Sequence, residues 1–366
     1  MPDASLPTPT ETLADKARAV IPQSVREALR PLASKVGLAR SASAPEFPTD
    51  HDADVLLELS RPTINAHTVS IRGRVLKYFF LTGCWRSGTH WVARLLNLHP
   101  ALSIVGEFHF DHLLAAYKRY TATDGGVGGW YLGHRPNQLR IANESLQTTI
   151  RRAVYASAAG KLSAGYIGDH SPRGLEEALP GATNILVIRD GRDVLVSQAF
   201  HSLRARRLDW FRPKFRRFAG RYIAEFQADP ESFKDCRRGF LTEELWVRTL
   251  AREWAERVRA DLEAKRRLEA EGTPVLLVRY EDLHANFRSR VPDLYRFFGL
   301  DPALAEAPSH ETKTLPGFRQ ETLTSDNRKG IVGDWMNYFD ERTRRFYREE
   351  AGDALVDLGY EKDLNW

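Results

Sequence analysis

The feature that most limits the possible folds is the passage from Val75 onward. There VLKYFFLTG runs almost unbroken in apolar character to Gly83, and CWRSGTHWVARLLNLHP then takes up helical spacing. Such a run suits a strand covered on both faces, and the glycine-bracketed turn after it delivers the chain straight into a helix. The same order recurs in ATNILVIRDGRDVLVSQAFHSL, and again where PVLLVRYEDL is followed by RVPDLYRFFGL, while AGYIGDH supplies a further short strand. Strands alternating with helices predict an α/β chain with a central, mostly parallel sheet flanked by helices on both faces. No short-period repeat is present, which argues against a solenoid.

Residues 1–70 have a different texture of Pro, Ser, Ala and charges, with helical spacing of Ala17, Val20, Ile21, Val25, Leu29 and Leu32 inside it. This reads as an N-terminal tail with one amphipathic helix, which packs on its own domain or a partner, or lies on a membrane surface. The domain expected to carry the function is 71–366. Two stretches, 111–163 and 203–245, interrupt its strand-to-helix order and are expected beside the strand ends, where α/β folds bind ligands. They are the candidates for substrate recognition.

The segment Gly83-Cys-Trp-Arg-Ser-Gly88-Thr-His reads as two glycines bracketing four residues between a strand and a helix, so its backbone N–H groups can surround a phosphate at the helix N-terminus. A nucleoside triphosphatase would continue with Lys and then Ser or Thr to hold the outer phosphates and Mg²⁺; here Thr89 and His90 stand instead. That substitution points to a nucleotide with one 5′-phosphate group and no obligatory metal.

WRSGTHW resembles the 5′-phosphosulfate loop of the sulfotransferases that use 3′-phosphoadenosine 5′-phosphosulfate (PAPS), with Arg86 at that family's Lys and His90 at its Thr. The resemblance implies a P-loop nucleotide-kinase-like sulfotransferase fold. It implies that Arg86 meets the sulfonate or bridging oxygen, that Ser87, Gly88, Thr89 and His90 form the 5′-phosphate loop, and that Trp91 stacks on adenine. VIRDGRDVLVSQ resembles the family's 3′-phosphate motif, which implies that role for Arg189 and Ser197. NRKGIVGDWMNYF resembles its C-terminal loop, so that Arg328, Lys329 and Gly330 close over the 3′-phosphate while Trp335 and Phe339 anchor them; Met336 departs from the pattern. In RYEDL, Tyr280 stands where the family's strand-end Tyr meets the adenine edge. The implied donor is PAPS, and the implied product is adenosine 3′,5′-bisphosphate (PAP).

The acceptor must also lose a proton. His170, in YIGDHSP, matches the base of the small-molecule sulfotransferases, and Glu107, in SIVGEFHF, resembles the catalytic Glu of the protein-tyrosine enzymes. A free imidazole titrates near pH 6.5 and accepts a proton near neutrality without tuning, whereas a carboxylate would need burial to do so. His170 is the first choice. No pair of His at helical spacing with a third ligand stands out around His90, His109 and His112, so no metal site is expected.

Positions 204–221 hold Arg204, Arg206, Arg207, Arg212, Lys214, Arg216, Arg217 and Arg221 against Asp209, interleaved with Trp210, Phe211, Phe215 and Phe218. Read as one basic aromatic helix, this segment suits a small-molecule, glycan or lipid acceptor, contact with a membrane surface, or simply solvation. The glycine-rich DGGVGGWYLG suggests a lid. The balance of 53 Lys and Arg against 48 Asp and Glu gives only +5, too mild for a nucleic-acid binder. Cys84 and Cys236 are too few and too distant for a disulfide framework, and the N-terminus lacks the basic start and apolar run of a leader, so a cytoplasmic location is expected. The competing readings are a nucleotide kinase and a catalytically silent module that binds PAP or a polyanion.

Overall fold

The computed structural model describes residues 58–59, 65–71, 73–122, 136–158, 161, 164–171, 177–317, 321–325 and 328–366. The N-terminal helix expected within residues 13–38 and the glycine-rich stretch at 124–133 lie outside the described residues.

A 6-stranded sheet is built from β1 (Thr68–Ile71), β2 (Arg74–Gly83), β3 (Leu102–Gly106), β4 (Tyr166–Asp169), β5 (Thr183–Ile188) and β6 (Val275–Arg279). Five of them run parallel in the order β3-β4-β2-β5-β6, and β1 pairs antiparallel with the start of β2. The central strand explains why the sequence reads as a continuous apolar run. Alternate side chains leave a strand on opposite faces. Phe79 and Leu81 enter one core with Ile185 and Val187, while Tyr78 and Phe80 enter the other, and all are buried.

Helices α1 (Thr89–Leu96) and α8 (Phe287–Arg296) cover the first face. The second is covered by α2 (Phe110–Thr121) and α3 (Pro136–Ala158) over β4, and by α4 (Gly191–Leu203), α5 (Pro213–Ala228), α6 (Glu244–Ala270) and α9 (Glu341–Asp357) over β5. α7 (Tyr280–Ala285) follows β6 directly. β2 leads to α1, β5 to α4 and β6 to α7 at one edge of the sheet, which gathers three strand-to-helix turns at the carboxyl ends of neighbouring strands. The packed unit takes in β1 and the fully buried Leu59, upstream of residue 71. β1 and β3 go beyond the strands expected from sequence; at 4 and 5 residues each, they are too short to show a clear alternation.

The basic aromatic stretch at 204–221 is not one helix. Pro213 occupies the first turn of α5, and the extended Arg212 before it (ψ 145°) separates the helix from a short 3₁₀ turn at Leu208–Trp210. Phe215 and Phe218 point into the core beside Phe240, whereas Trp210 is 66% exposed. Arg207 pairs with Asp209, Arg212 with Glu253 and Arg221 with Glu225. Exposed pairs of this kind are screened by solvent and add little to stability. Among the described residues, no helix is long and apolar enough to cross a membrane.

Candidate active site

The loop from β2 to α1 turns sharply. Arg86 has φ 61° and Gly88 has φ 100°, so α1 begins with its first-turn N–H groups aimed at the space above the loop. Tyr280 packs so close over Gly88 that a Cβ there would lie 2.6 Å from its ring. Gly88→Ala therefore combines a left-handed backbone with a ring clash, and is expected to cost about 2 to 5 kcal/mol. A denaturant midpoint reads this loss, and a midpoint equal to that of the parent would show that the Tyr280 ring moves aside.

The residues marked by the three sequence motifs meet here. Arg86 Nε donates to Ser197 Oγ at 3.2 Å, which ties the first loop to α4. Arg189, at the end of β5, donates through its two Nη atoms to the carbonyls of Arg86 at 3.4 Å and Ile331 at 3.0 Å, and its guanidinium lies 4.2 Å over the Tyr280 ring. Burial pushes the Tyr280 phenol above its ordinary value. Ser87 Oγ and Arg189 Nε are both buried and have no hydrogen-bond partner among the described residues. Buried polar atoms are otherwise almost always paired, and Arg189 lines the same cavity as the first loop, an arrangement that fits an anionic ligand such as a phosphate.

Trp91 is half-buried, its indole N–H donates to the Thr314 carbonyl at 2.7 Å, and its ring lies stacked against Phe287 and edge-on to Tyr280. The protein itself thus already packs against the indole expected to hold adenine.

Trp335 and Phe339, the anchors expected for the C-terminal loop, are both buried, and sequence reasoning missed a further hold on that loop. The Asp193 carboxylate, fully buried on α4, accepts the backbone N–H groups of Gly333 at 2.8 Å and Trp335 at 2.9 Å, and it faces Arg189 at 3.6 Å. Burial pushes this carboxyl up, against the opposing effect of Arg189. In the same R-D-G-R-D run, Arg192 is 3% exposed, pairs with Asp190 and Glu361, and lies 4.0 Å over Trp335. Arg328 reaches Glu321 and Asp334 and lies 4.2 Å over Phe200, while Lys329 pairs with Asp235, Glu321 and Asp334. Burial alone would raise the Asp334 carboxyl, but Arg328, Asn337 and Lys329 outweigh it and hold it below the ordinary range. Gly330, at φ 64°, turns its carbonyl to His284 Nε2 at 3.0 Å. Met336, where the loop departs from the expected pattern, is 62% exposed and so free to vary.

The two base candidates stand side by side because β3 and β4 are paired with Gly106 opposite Asp169, and each residue follows its strand directly. His170 is 7% exposed, its backbone N–H donates to the Gly106 carbonyl at 3.1 Å, and its Nδ1 is buried without a partner among the described residues. Glu107 is exposed. Asp169 does not pair with His170; it accepts the N–H groups of Phe108 and Ser171 and the Ser171 hydroxyl, which secures the β3–α2 turn against β4. His90 approaches both candidates, with Nε2 at 3.3 Å from Glu107 and its ring 4.6 Å from that of His170. Burial and the neighbouring His170 hold the His90 imidazole below its ordinary value, despite Glu107.

One cavity of about 1730 Å³ joins these parts, lined by the first loop, Arg189, Ser197, Tyr280, the C-terminal loop, His90, Glu107 and His170, and extending past Trp85, Trp210 and Leu250. A single small-molecule site occupies about 300–1,000 Å³, so there is room for two ligands end to end.

No curated protein matches this sequence. Solved structures that align with it include mouse sulfotransferase SULT7A1 complexed with PAP, at 16% identity over 80% of this chain and 88% of that one, with a TM-score of 0.38. A second is retinol dehydratase in a complex with retinol and PAP, at 17% identity over 85% and 98% of the two chains, TM-score 0.40. A third is the sulfotransferase domain of the Synechococcus PCC 7002 olefin synthase, at 13% identity over 78% and 94%, TM-score 0.36. The sulfotransferase domain model matches residues 76–359, a span that contains the first loop, the β5–α4 motif and the C-terminal loop, and the chain belongs to that family.

Proposed function

We propose that this chain transfers the sulfuryl group of PAPS to a hydroxyl or amine of a small-molecule acceptor, releasing PAP. The observation that carries the reading is the meeting of three separate anion-suited motifs at one cavity, which Arg189 lines with its Nε buried and without a partner among the described residues. Ser87, Gly88, Thr89 and His90 would hold the 5′-phosphate, and Arg86 would neutralise charge developing on the sulfonate and bridging oxygens. Arg189, Ser197, Arg328, Lys329 and Gly330 would hold the 3′-phosphate, and Trp91 and Tyr280 the adenine.

PAPS supplies an activated sulfuryl group; the acceptor oxygen or nitrogen forms the new bond to sulfur as the bond to the phosphate oxygen breaks. By analogy with phosphoryl transfer, an in-line and rather loose displacement leaves the protein chiefly with positioning and charge stabilisation. His170 takes the acceptor proton. Arg86 is pre-oriented for its role by Ser197.

Thermal unfolding with PAP, 5′-AMP and Mg-ATP in parallel tests the reading without knowledge of the acceptor. A ligand at about 100 times its dissociation constant adds roughly 2.7 kcal/mol of stability. Selective stabilisation by PAP is expected; stabilisation by Mg-ATP alone would make the chain a nucleotide kinase in this family's frame, and no response to PAP would remove the 3′-phosphate site.

A further inference from the structure

His90, Glu107 and His170 come from the start of α1, the end of β3 and the end of β4, and they present one ligand atom each within 4.8 Å of one another. We propose that these residues form a binding site for a borderline divalent transition-metal ion of the Zn²⁺ type, set in the wall of the cavity. Two imidazoles and one carboxylate are a donor set that Zn²⁺ favours, at roughly 2.0–2.2 Å per ligand, which puts tetrahedral ligand atoms about 3.3 Å apart. His90 Nε2 and Glu107 Oε2 already stand 3.3 Å apart. The widest gap in the trio needs to close by no more than about 1.5 Å on that geometry. The side chains of His90 and Glu107 are 58% and 35% exposed and have room to turn, whereas His170 is fixed.

A second observation points to a ligand at the same place. His170 is more than nine-tenths buried, lines the cavity, and has a ring nitrogen with no partner among the described residues. Mg²⁺ and Ca²⁺ prefer oxygen ligands and do not suit the set. With three protein ligands the fourth position is left to the cavity.

The consequence for catalysis rests on the reading of His170 as the base: a bound ion occupies the imidazole lone pair that would take the acceptor proton, so Zn²⁺ inhibits reversibly. The metal is thus a regulator of the site and not a requirement for turnover.

Titration calorimetry of the untagged, chelator-stripped full chain with ZnCl₂ tests the binding without any acceptor. One Zn²⁺ per chain is expected, with affinity lowered at least about tenfold by His90→Ala and by His170→Ala, and no uptake of Mg²⁺. His90 is exposed, so its variant keeps the test valid even if the His170 variant folds poorly. Absence of Zn²⁺ binding, or equal binding by the His90→Ala chain, overturns the proposal. PAP binding by the metal-free chain is read separately, so a failed metal site and a failed sulfotransferase reading give different results.

Discussion

His170→Ala lowers turnover by about 10² to 10⁴-fold while leaving PAP affinity almost unchanged. The size follows from the role: a positioned base that takes a proton in the transition state accounts for about 2.7 to 5.4 kcal/mol of barrier. The position supports the role. His170 is buried at the end of β4, its backbone is fixed to Gly106, and none of the described residues occupies its Nδ1. A His that only filled space would give a different signature, a lower unfolding midpoint with turnover of the folded fraction intact. Single-turnover rates on folded protein with bound PAPS separate the two. A rate within about threefold of the parent would remove His170 from the proton transfer and move that task to Glu107, which is exposed but adjoins His90.

Much of the fold was legible because each strand-to-helix unit writes its own local signature. β2 is a continuous apolar run, since both of its faces are covered, and β5 and β6 each end in a turn that starts a helix. The glycine of the first loop was legible for the same reason: the turn from β2 into α1 takes Gly88 through a left-handed backbone. Pairings across long stretches of sequence were not legible. The grouping of His90, Glu107 and His170 depends on the register that sets Gly106 opposite Asp169, and no spacing within the sequence encodes it.

Charge partners were not legible for a related reason. Arg328 and Lys329 stand in the sequence as a basic pair, and Glu321, Asp334 and Asp235, from outside the pair, lie within ion-pair distance of them. The arginines of 204–221 read as one basic helix, yet a proline breaks the segment, and acids on α6 and α5 pair with Arg212 and Arg221. A run of like charges in sequence says little until its partners from other elements are known. Asp193 is the converse case, a single acid in a crowded charged motif that fixes the C-terminal loop through two backbone N–H groups.

The same network makes Arg189→Ala the sharpest test of the nucleotide site. Loss of hydrogen bonds from a charged group to a phosphate costs about 1.5 to 3 kcal/mol, so PAP affinity is expected to fall by about 10- to 150-fold. The affinity for 5′-AMP, which lacks the 3′-phosphate, should fall much less, and that contrast identifies the phosphate Arg189 serves. Removing the guanidinium also leaves Asp193 buried without its cation, so some loss of stability accompanies the change. Arg189→Lys controls for this: it keeps a charge near Asp193 but gives up the planar fork, and should recover stability ahead of PAP affinity. Calorimetric titration of PAP and 5′-AMP into the folded variants gives the answer. Equal losses for both ligands would place Arg189 at the 5′ end beside Arg86, whose carbonyl it already holds, and an unchanged PAP affinity would take Arg189 out of the nucleotide site altogether.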